Sequence, residues 1–257
     1  MSQNEQIKKM KPDEAQAVES VGAVTGSRQE PVVGRMKIDL HCHTEASFDC
    51  ATPLPDIAAR CRKAGITVQA ITDHNEVWGA QQVKMWVDEQ RADGDSSLTI
   101  IVGEEVLTNE GEIIGLFLKE KIEPGLSPEE CIRQIRAQGG LTLLPHGFDS
   151  FKPSRLKPEA RERIADQLDI IETFNARISR PRYNRAAVEW CKSRKILMSA
   201  GSDSHRLSDI GDAWVEAPYQ RISTPQDLLA ALQNGVPIGT WDNPIFSLVA
   251  KWFDRFR

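Results

Sequence analysis

Short apolar runs alternate with longer stretches of mixed polarity from residue 36 onward. Seven of these runs have the length and composition of buried strands, which predicts strands at 36–40, 67–72, 98–102, 113–118, 141–144, 168–173 and 196–200. Helix starts are predicted at Ser127 and Thr224, where a capping residue precedes proline, and helix ends at Gly139 and Gly235. Apolar strands that alternate with helices indicate a parallel sheet, either covered on both faces or closed into a barrel.

Composition narrows the class of protein. The 257 residues suit two small domains or one α/β barrel, and we favour one domain. With 40% hydrophobic and 27% charged residues, the chain is neither collagen-like nor wholly disordered. A net charge of -5 argues against attachment to nucleic acid or anionic lipid by bulk charge. Five cysteines without a CxxC pair predict reduced thiols.

The two ends of the chain carry less information. Residues 1–35 are polar and contain no apolar run that fits a secretory signal, so we expect a mobile extension there and a barrel domain over 36–257. The sequence has no membrane span, and a cytoplasmic protein is expected. The segment from Lys251 to Arg257 suits a docked C-terminal helix better than contact with a membrane surface.

Every histidine of the chain lies within a few residues of the end of a predicted strand. These are His41, His43, His74, His146 and His205. Carboxylates accompany them at Asp39, Asp49, Asp73, Glu104, Glu105, Glu172 and Asp203. Since the carboxyl ends of parallel barrel strands meet at one mouth, these side chains are expected to form one polar site.

The spacing of these residues suggests metal binding. His41 and His43 are two residues apart, so on a strand both imidazoles project from the same face, and Asp203 and His205 repeat that spacing. Imidazole and carboxylate ligands suit Zn, Mn or Fe, and the ligands are too many for one ion, which predicts two or three divalent transition-metal ions. Taken singly, a strand-end histidine is more often structural. A thiol ligand at Cys50 is less favoured than a plain buried cysteine.

Five short motifs carry a resemblance to a known family. They are Asp39-Leu40-His41-Cys42-His43-Thr44, Thr72-Asp73-His74, Gly103-Glu104-Glu105, Pro145-His146-Gly147 and Gly201-Ser202-Asp203-Ser204-His205. In this order they resemble the motifs of the PHP family, named for polymerase and histidinol phosphatase, over residues 37–220. The resemblance implies a single-domain, distorted (β/α)7 TIM-like barrel, a trinuclear metal centre and metal-dependent phosphoesterase activity.

The resemblance also implies a ligand set. One ion would be held by His41, His43, Glu105 and Asp203, a second by Glu105 and His146, and a third by Asp49, His74 and His205. Glu112 is a weaker candidate for the second ion, near where some relatives offer histidine. Asp49 also stands where some members have histidine. Asp73 is assigned a catalytic role, with the alternative that it orients a neighbouring ligand.

Substrate contacts are expected after the sixth predicted strand. The segment from Glu172 to Arg177 resembles one in small PHP phosphoesterases, which predicts that Glu172, Asn175 and Arg177 bind substrate, with Arg177 as a catalytic phosphate clamp. The alternative places Arg177 on a solvated face with the arginines that follow it, in which case Lys152 or Arg155 would bind phosphate. A hydroxide held between ions would attack the phosphorus of a small phosphomonoester or nucleotide-type substrate.

Two other functions are compatible with parts of the pattern. An amidohydrolase-type barrel also opens with HxH, but the Thr72-Asp73-His74 element and the Asp203-Ser204-His205 ending argue against it. A non-catalytic metal-binding or nucleic-acid-binding barrel is disfavoured by the intact ligand set. The expected partner is a small phosphorylated substrate, with nucleic acid only as a short substrate and no membrane. The substrate, the metals and the oligomeric state are left open.

Overall fold

The computed structural model describes residues 34–92 and 97–241. Nine strands in these ranges form one sheet: β1 Arg35–Asp39, β2 Val68–Ile71, β3 Thr99–Thr108, β4 Gly111–Leu116, β5 Leu141–Leu144, β6 Ile170–Asn175, β7 Leu197–Gly201, β8 Ala213–Pro218 and β9 Val236–Gly239. The described α-helices are α1 Leu54–Ala64, α2 Trp78–Ala92, α3 Pro128–Ala137, α4 Pro158–Arg163, α5 Pro181–Arg194 and α6 Pro225–Gln233. Short 3-10 helices lie at Ala165–Gln167 and Leu207–Asp209.

The sheet curves into a nearly closed barrel. Its strand order is β7-β6-β5-β4-β3-β2-β1-β8-β9, so β7 and β1 are not neighbours in the ladder. Beyond the end of β1, however, the Leu40 N–H donates to the Ala200 carbonyl of β7 at 3.2 Å, and Cys42 forms a parallel bridge with Ser204. The α/β barrel fold class expected from the sequence is thereby confirmed.

The strands differ from the predicted set in number and direction. All seven predicted strands are present, but β4, predicted at 113–118, runs antiparallel to both β3 and β5. Only Asn109 and Glu110 separate β3 from β4, and a connection that short permits a hairpin but no parallel crossover. Strands β8 and β9 were not predicted. They form an antiparallel pair that extends the sheet beyond β1.

Apolar side chains fill both faces of the curved sheet. Ile38, Ile101 and Leu143 belong to a buried cluster inside the barrel, and Ile71 and Leu144 belong to a second cluster between the strands and the helices. Continuous burial of whole strands, as in β2 and β5, follows from this double coverage. All five cysteines are buried and free of disulfide bonds, as predicted.

Both predicted helix starts are observed. The Ser127 hydroxyl accepts a hydrogen bond from the Glu130 N–H at the start of α3. Thr224 and Asp227 form a reciprocal capping box at the start of α6. These caps satisfy backbone donors that a helix start leaves unpaired, so the chain reverses direction at defined residues after β4 and β8.

Several predictions concern residues outside the described ranges. Residues 1–33, which make up most of the expected N-terminal extension, lie outside them, and so do residues 242–257, where the C-terminal helix is expected. Within the described ranges, no helix is long and apolar enough to cross a bilayer.

Candidate metal centre

The predicted ligands converge at one mouth of the barrel. His41 and His43 follow β1, His74 follows β2, Glu105 and Glu112 lie on the β3–β4 hairpin, His146 follows β5, and Asp203 and His205 follow β7. A cavity of about 200 Å³ opens there. It is lined by Asp49, His74, Glu105, Glu112, His146, Lys152, Ser154, Arg177, Asp203 and His205. Side chains from seven strands or the loops that follow them therefore share one small polar cavity.

Glu105 lies at the centre of this cluster. Its Oε1 atom is 2.9 Å from Nε2 of His146. Its Oε2 atom is 3.4 Å from Nε2 of both His41 and His43, and 3.2 Å from Nδ1 of His74. Oε2 is buried and accepts no hydrogen bond among the described residues. The two oxygens of one carboxylate thus face different groups of imidazoles, which is the arrangement that a bridging ligand needs.

Four overlapping groups of three donors could each hold an ion. They are His43, His74 and His205; His41, His43 and Asp203; His41, Glu105 and His146; and His74, Glu105 and Glu112. Within each group all three donor atoms lie within 4.8 Å of one another. Because His41, His43, His74 and Glu105 each belong to two groups, neighbouring ions would share ligands.

Hydrogen bonds at the Nδ1 atoms fix the orientation of two imidazoles, those of His41 and His43. Nδ1 of His41 lies 2.9 Å from Oε1 of Glu172, and an ionised carboxylate can only accept, so this nitrogen carries the proton. Nδ1 of His43 lies 3.1 Å from the Ser47 hydroxyl, which itself donates to Asp73 at 2.8 Å. Ser47 therefore accepts from His43. Both Nε2 atoms are left with lone pairs directed into the cluster.

The donor set fits a cation. The Nε2 atoms of His41 and His43 are only 3.0 Å apart, and two lone pairs at that distance repel unless a positive charge lies between them. Although burial opposes it, Glu105 and Glu172 raise the pKa of His41 well above its usual value, whereas burial lowers the pKa of His43 to about 3. One proton on His41 can thus bridge the two nitrogens. A divalent metal ion would compete with that proton.

Asp49 and Glu112 lie at the outer edge of the cluster. Asp49 is 3.1 Å from Nε2 of His205 and 3.8 Å from Nε2 of His74, which places it with the two imidazoles expected beside it. Glu112 is 3.5 Å from Nδ1 of His74 and 3.6 Å from Nε2 of His146. Burial and the charge of Glu105 raise the pKa of Glu112 to about 9. A positive charge placed beside Glu112 would favour its ionised form.

Adjacent Glu104 and Glu105 point in different directions. Alternation along β3 turns Glu104 away from the mouth, where its Oε2 accepts from the Ile122 N–H at 2.8 Å. Burial raises the pKa of Glu104 to about 7. Glu105, which the family motif favours as the ligand, therefore lies in the cluster. Glu104 lies on the opposite face of the strand.

Two cationic side chains line the cavity beside the carboxylates. The Lys152 ammonium contacts Oδ2 of Asp203. The Arg177 guanidinium donates to the Asp203 carbonyl at 3.1 Å and contacts Nδ1 of His205. Although burial opposes it, Lys152 and His41 hold the pKa of Asp203 well below its usual range. An anion entering the cavity would meet both cations.

Comparison with known proteins supports the assignment suggested by the motifs. Residues 39–126 match the PHP domain, and residues 181–237 match the PHP-associated C-terminal family. An uncharacterised protein of Methanocaldococcus jannaschii is 40% identical over 152 residues, which cover 55% of this chain and 82% of that protein. The chain belongs to the PHP family.

Other PHP relatives are more distant. A probable phosphatase of Pectobacterium carotovorum is 24% identical over 217 residues, which cover 74% of this chain and 87% of the relative. A two-domain protein from Bacteroides vulgatus, described as containing a predicted PHP-like metal-dependent phosphoesterase, shares the fold with a TM-score of 0.60 at 18% identity. That match covers 80% of this chain and 65% of the Bacteroides chain.

Three residues expected to act on substrate lie behind the PHP ligand cluster. Glu172 accepts hydrogen bonds from Nδ1 of His41, from the His146 N–H at 2.6 Å and from the Asn175 amide at 3.0 Å. The Asn175 amide also donates to Asp203. Asp73 accepts from Ser47 and from the N–H and hydroxyl of Thr44. All three side chains are buried, and they contact predicted ligands or residues of the loops that carry them.

The backbone is strained at two of the predicted ligands. His146 has φ 27° and Asp203 has φ 51°, in the left-handed region that side chains other than glycine rarely adopt. Next to them, Gly201 leaves no room for a side chain, since a Cβ there would lie 2.3 Å from Oε1 of Glu172. In the PHP motif Gly201-Ser202-Asp203, the glycine lets Glu172 and His41 lie close to the backbone, and Asp203 adopts a strained conformation.

Sequence reasoning missed Ser47 and gave Lys152 only as an alternative. Ser47 orients His43 and also accepts from the His74 N–H at 3.0 Å. Its position between His43 and Asp49 in the sequence was an available signal. Lys152 reaches Asp203 from 51 residues away, a contact that no local pattern in the PHP motifs records.

Proposed function

We propose that this chain hydrolyses phosphomonoesters at a centre of two or three divalent metal ions. The observation that carries the proposal is the pairing of overlapping donor groups with Lys152 and Arg177 at the same cavity. Divalent ions held there would activate water as the nucleophile and neutralise negative charge on the phosphoryl group. The ligands assigned from the family motifs are the side chains from which we build this centre.

The chain's own cations would orient the substrate. Arg177 presents a planar fork of donors that suits two phosphate oxygens, and its backbone N–H donates to Oδ1 of Asn175 at 2.9 Å, which fixes the start of the side chain. Lys152 would supply a second, more flexible charge. Both would exchange their present contacts with Asp203 and His205 for the incoming anion.

The size of the cavity limits the part of the substrate that enters it. About 200 Å³ accommodates a phosphate group but only part of a larger molecule, so the organic portion would remain at the mouth. This supports a small phosphorylated substrate, or the end of a short nucleic acid. An amidohydrolase-type reaction is less well supported, because it has no need for two cations converging on an anion.

A substrate panel tests this proposal. Metal-free protein would be loaded with Mn, Zn or Fe and supplied with phosphomonoesters, phosphodiesters, amides and lactones. We expect turnover of phosphomonoesters only, abolished by chelation. Arg177→Ala should lower kcat/KM by about 100-fold or more, because a charged hydrogen-bonding group is lost, while Arg177→Lys should recover part of it.

The matched control is Arg133→Ala, which removes an exposed arginine on α3 that pairs with Glu130. It should leave kcat/KM unchanged. Turnover of amides or lactones with no turnover of any phosphoester would contradict the proposal. If Arg177→Ala keeps nearly full kcat/KM on the best substrate, the proposed role of Arg177 in binding phosphate is wrong, whereas the proposed hydrolysis of phosphomonoesters is unaffected.

A further inference from the structure

A largely apolar groove lies between the end of β6 and α5. Its volume is about 440 Å³, and it is lined by Thr173, Phe174, Pro181, Asn184, Arg185, Val188, Glu189 and Trp241. Phe174, Val188 and Trp241 remain partly exposed there. No side chain that the structure describes fills the groove. Apolar surface gathered in one place in this way usually marks a contact.

The groove lies where the described part of the chain ends. Trp241 is the last described residue and is itself part of the groove wall. Its indole N–H donates to the Ile178 carbonyl at 2.7 Å, which anchors it beside α5. Residues 242–257 therefore start from the groove itself.

The sequence of residues 242–257 is suited to binding in an apolar groove. Asn243 followed by Pro244 is a typical helix start. On a helix, Ile245, Val249, Trp252 and Phe256 would share one face, because they repeat at intervals of three or four residues. Ser247, Lys251 and Asp254 would share the opposite face. The pattern predicts one apolar face and one charged face.

We propose that residues 242–257 dock as an amphipathic helix on this groove and cover Phe174, Val188 and Trp241. Attachment at Trp241 favours this occupant over a second copy of the chain, because a short tether gives an effective concentration on the order of millimolar. This inference does not depend on the proposed catalytic function.

Docking there would support the segment that carries Arg177. Asn184, in the groove wall, accepts from the Asn175 N–H and donates to the Asn175 carbonyl, both at 3.1 Å. Trp241 holds the carbonyl of Ile178, one residue beyond Arg177. A helix covering the groove would lie directly behind these contacts.

Thiol labelling tests the docking. All five native cysteines are buried, so Val188→Cys introduces a single accessible probe into the groove. We expect the full chain with this substitution to react with a maleimide at least about tenfold more slowly than the same variant ending at Trp241. Trp252→Glu in the full chain removes the central aromatic residue without truncation and should give the fast rate too.

Lys192→Cys is the matched control, since it is exposed on the same helix but lies outside the groove lining. Its labelling rate should be the same in all chains. Circular dichroism verifies that each variant is folded. Equal labelling rates at Val188→Cys in the full chain and in the Trp252→Glu variant would overturn the proposal.

Two further outcomes would also overturn it. A tethered contact is independent of protein concentration and should survive dilution from about 100 to about 1 μM. Protection of Val188→Cys that disappears over this range would assign the groove to a second copy of the chain. Fast labelling together with sedimentation of the full chain on phosphatidylserine-containing vesicles would assign residues 242–257 to a membrane surface. Protection that is independent of dilution and of vesicles is the result that the proposal requires.

Discussion

The role of Glu172 is the sharpest test of how the site is built. The sequence suggested that Glu172 contacts substrate, whereas in the structure its two oxygens accept three hydrogen bonds from His41, His146 and Asn175. Glu172→Gln keeps the size of the side chain and replaces one acceptor by a donor. Whichever way the amide is turned, its NH2 group faces at least one of these donors.

The cost can be worked out from those contacts. An unpaired buried donor costs about 1–3 kcal/mol, and the loss of charge also weakens the bond that keeps the His41 proton on Nδ1. Loss of such an outer contact typically lowers metal affinity about 10–100-fold. We therefore expect Glu172→Gln to bind metal at least about tenfold more weakly. At saturating metal, KM for the substrate should be nearly unchanged.

The assay is a competition titration against a chelator of known affinity, followed by steady-state kinetics at saturating metal. Glu104→Gln is the control, since Glu104 is a similarly buried carboxylate on β3 whose side chain is turned away from the cluster. Unchanged metal affinity combined with a raised KM in Glu172→Gln would refute this reasoning. It would instead support the role expected from the sequence, in which Glu172 contacts substrate.

Three further predictions concern the same cluster. Glu105→Gln should remove metal and lower the rate by orders of magnitude, while Glu104→Gln changes the rate little, as metal analysis and kinetics would show. Gly201→Ala should weaken metal binding at least about tenfold relative to Gly34→Ala, because its Cβ would lie 2.4 Å from Cβ of His41, whereas Gly34 has no neighbour within 4 Å. Acidification should release metal, measurable by dialysis, because protons compete for the same nitrogens: competition begins at His41, whose pKa is raised, and reaches His43, whose pKa is lowered to about 3, last.

Much of the fold could be predicted because apolar strands keep a recognisable length and composition. The direction of β4 was missed since the strand after residue 98 continues through the polar pair Glu104 and Glu105, which conceals how short the turn to β4 is. β8 was missed although its buried residues, Ala213, Val215 and Ala217, alternate with the more exposed Trp214, Glu216 and Pro218. Its small alanines and final Pro218 weaken the strand pattern.

The convergence of the predicted ligands on one cavity could be expected from the sequence because metal binding requires particular side chains at strand ends. The contacts of the side chains behind them could not be predicted in the same way. For Asp73 the sequence left a catalytic and an orienting role open, and Glu172 was expected to bind substrate; in the structure Asp73 accepts from Ser47 and Glu172 accepts from His41. Contacts of this kind depend on residues brought together by barrel closure, which local spacing does not encode.

The central claim is that several ions act together in one cavity. It is tested most directly by titrating metal-free protein with Mn while phosphate release from a phosphomonoester is followed. Since neighbouring donor groups share Glu105 and three histidines, we predict that activity lags during the first equivalent and saturates only at two or three. Saturation at one equivalent, or full activity in the metal-free protein, would contradict the account.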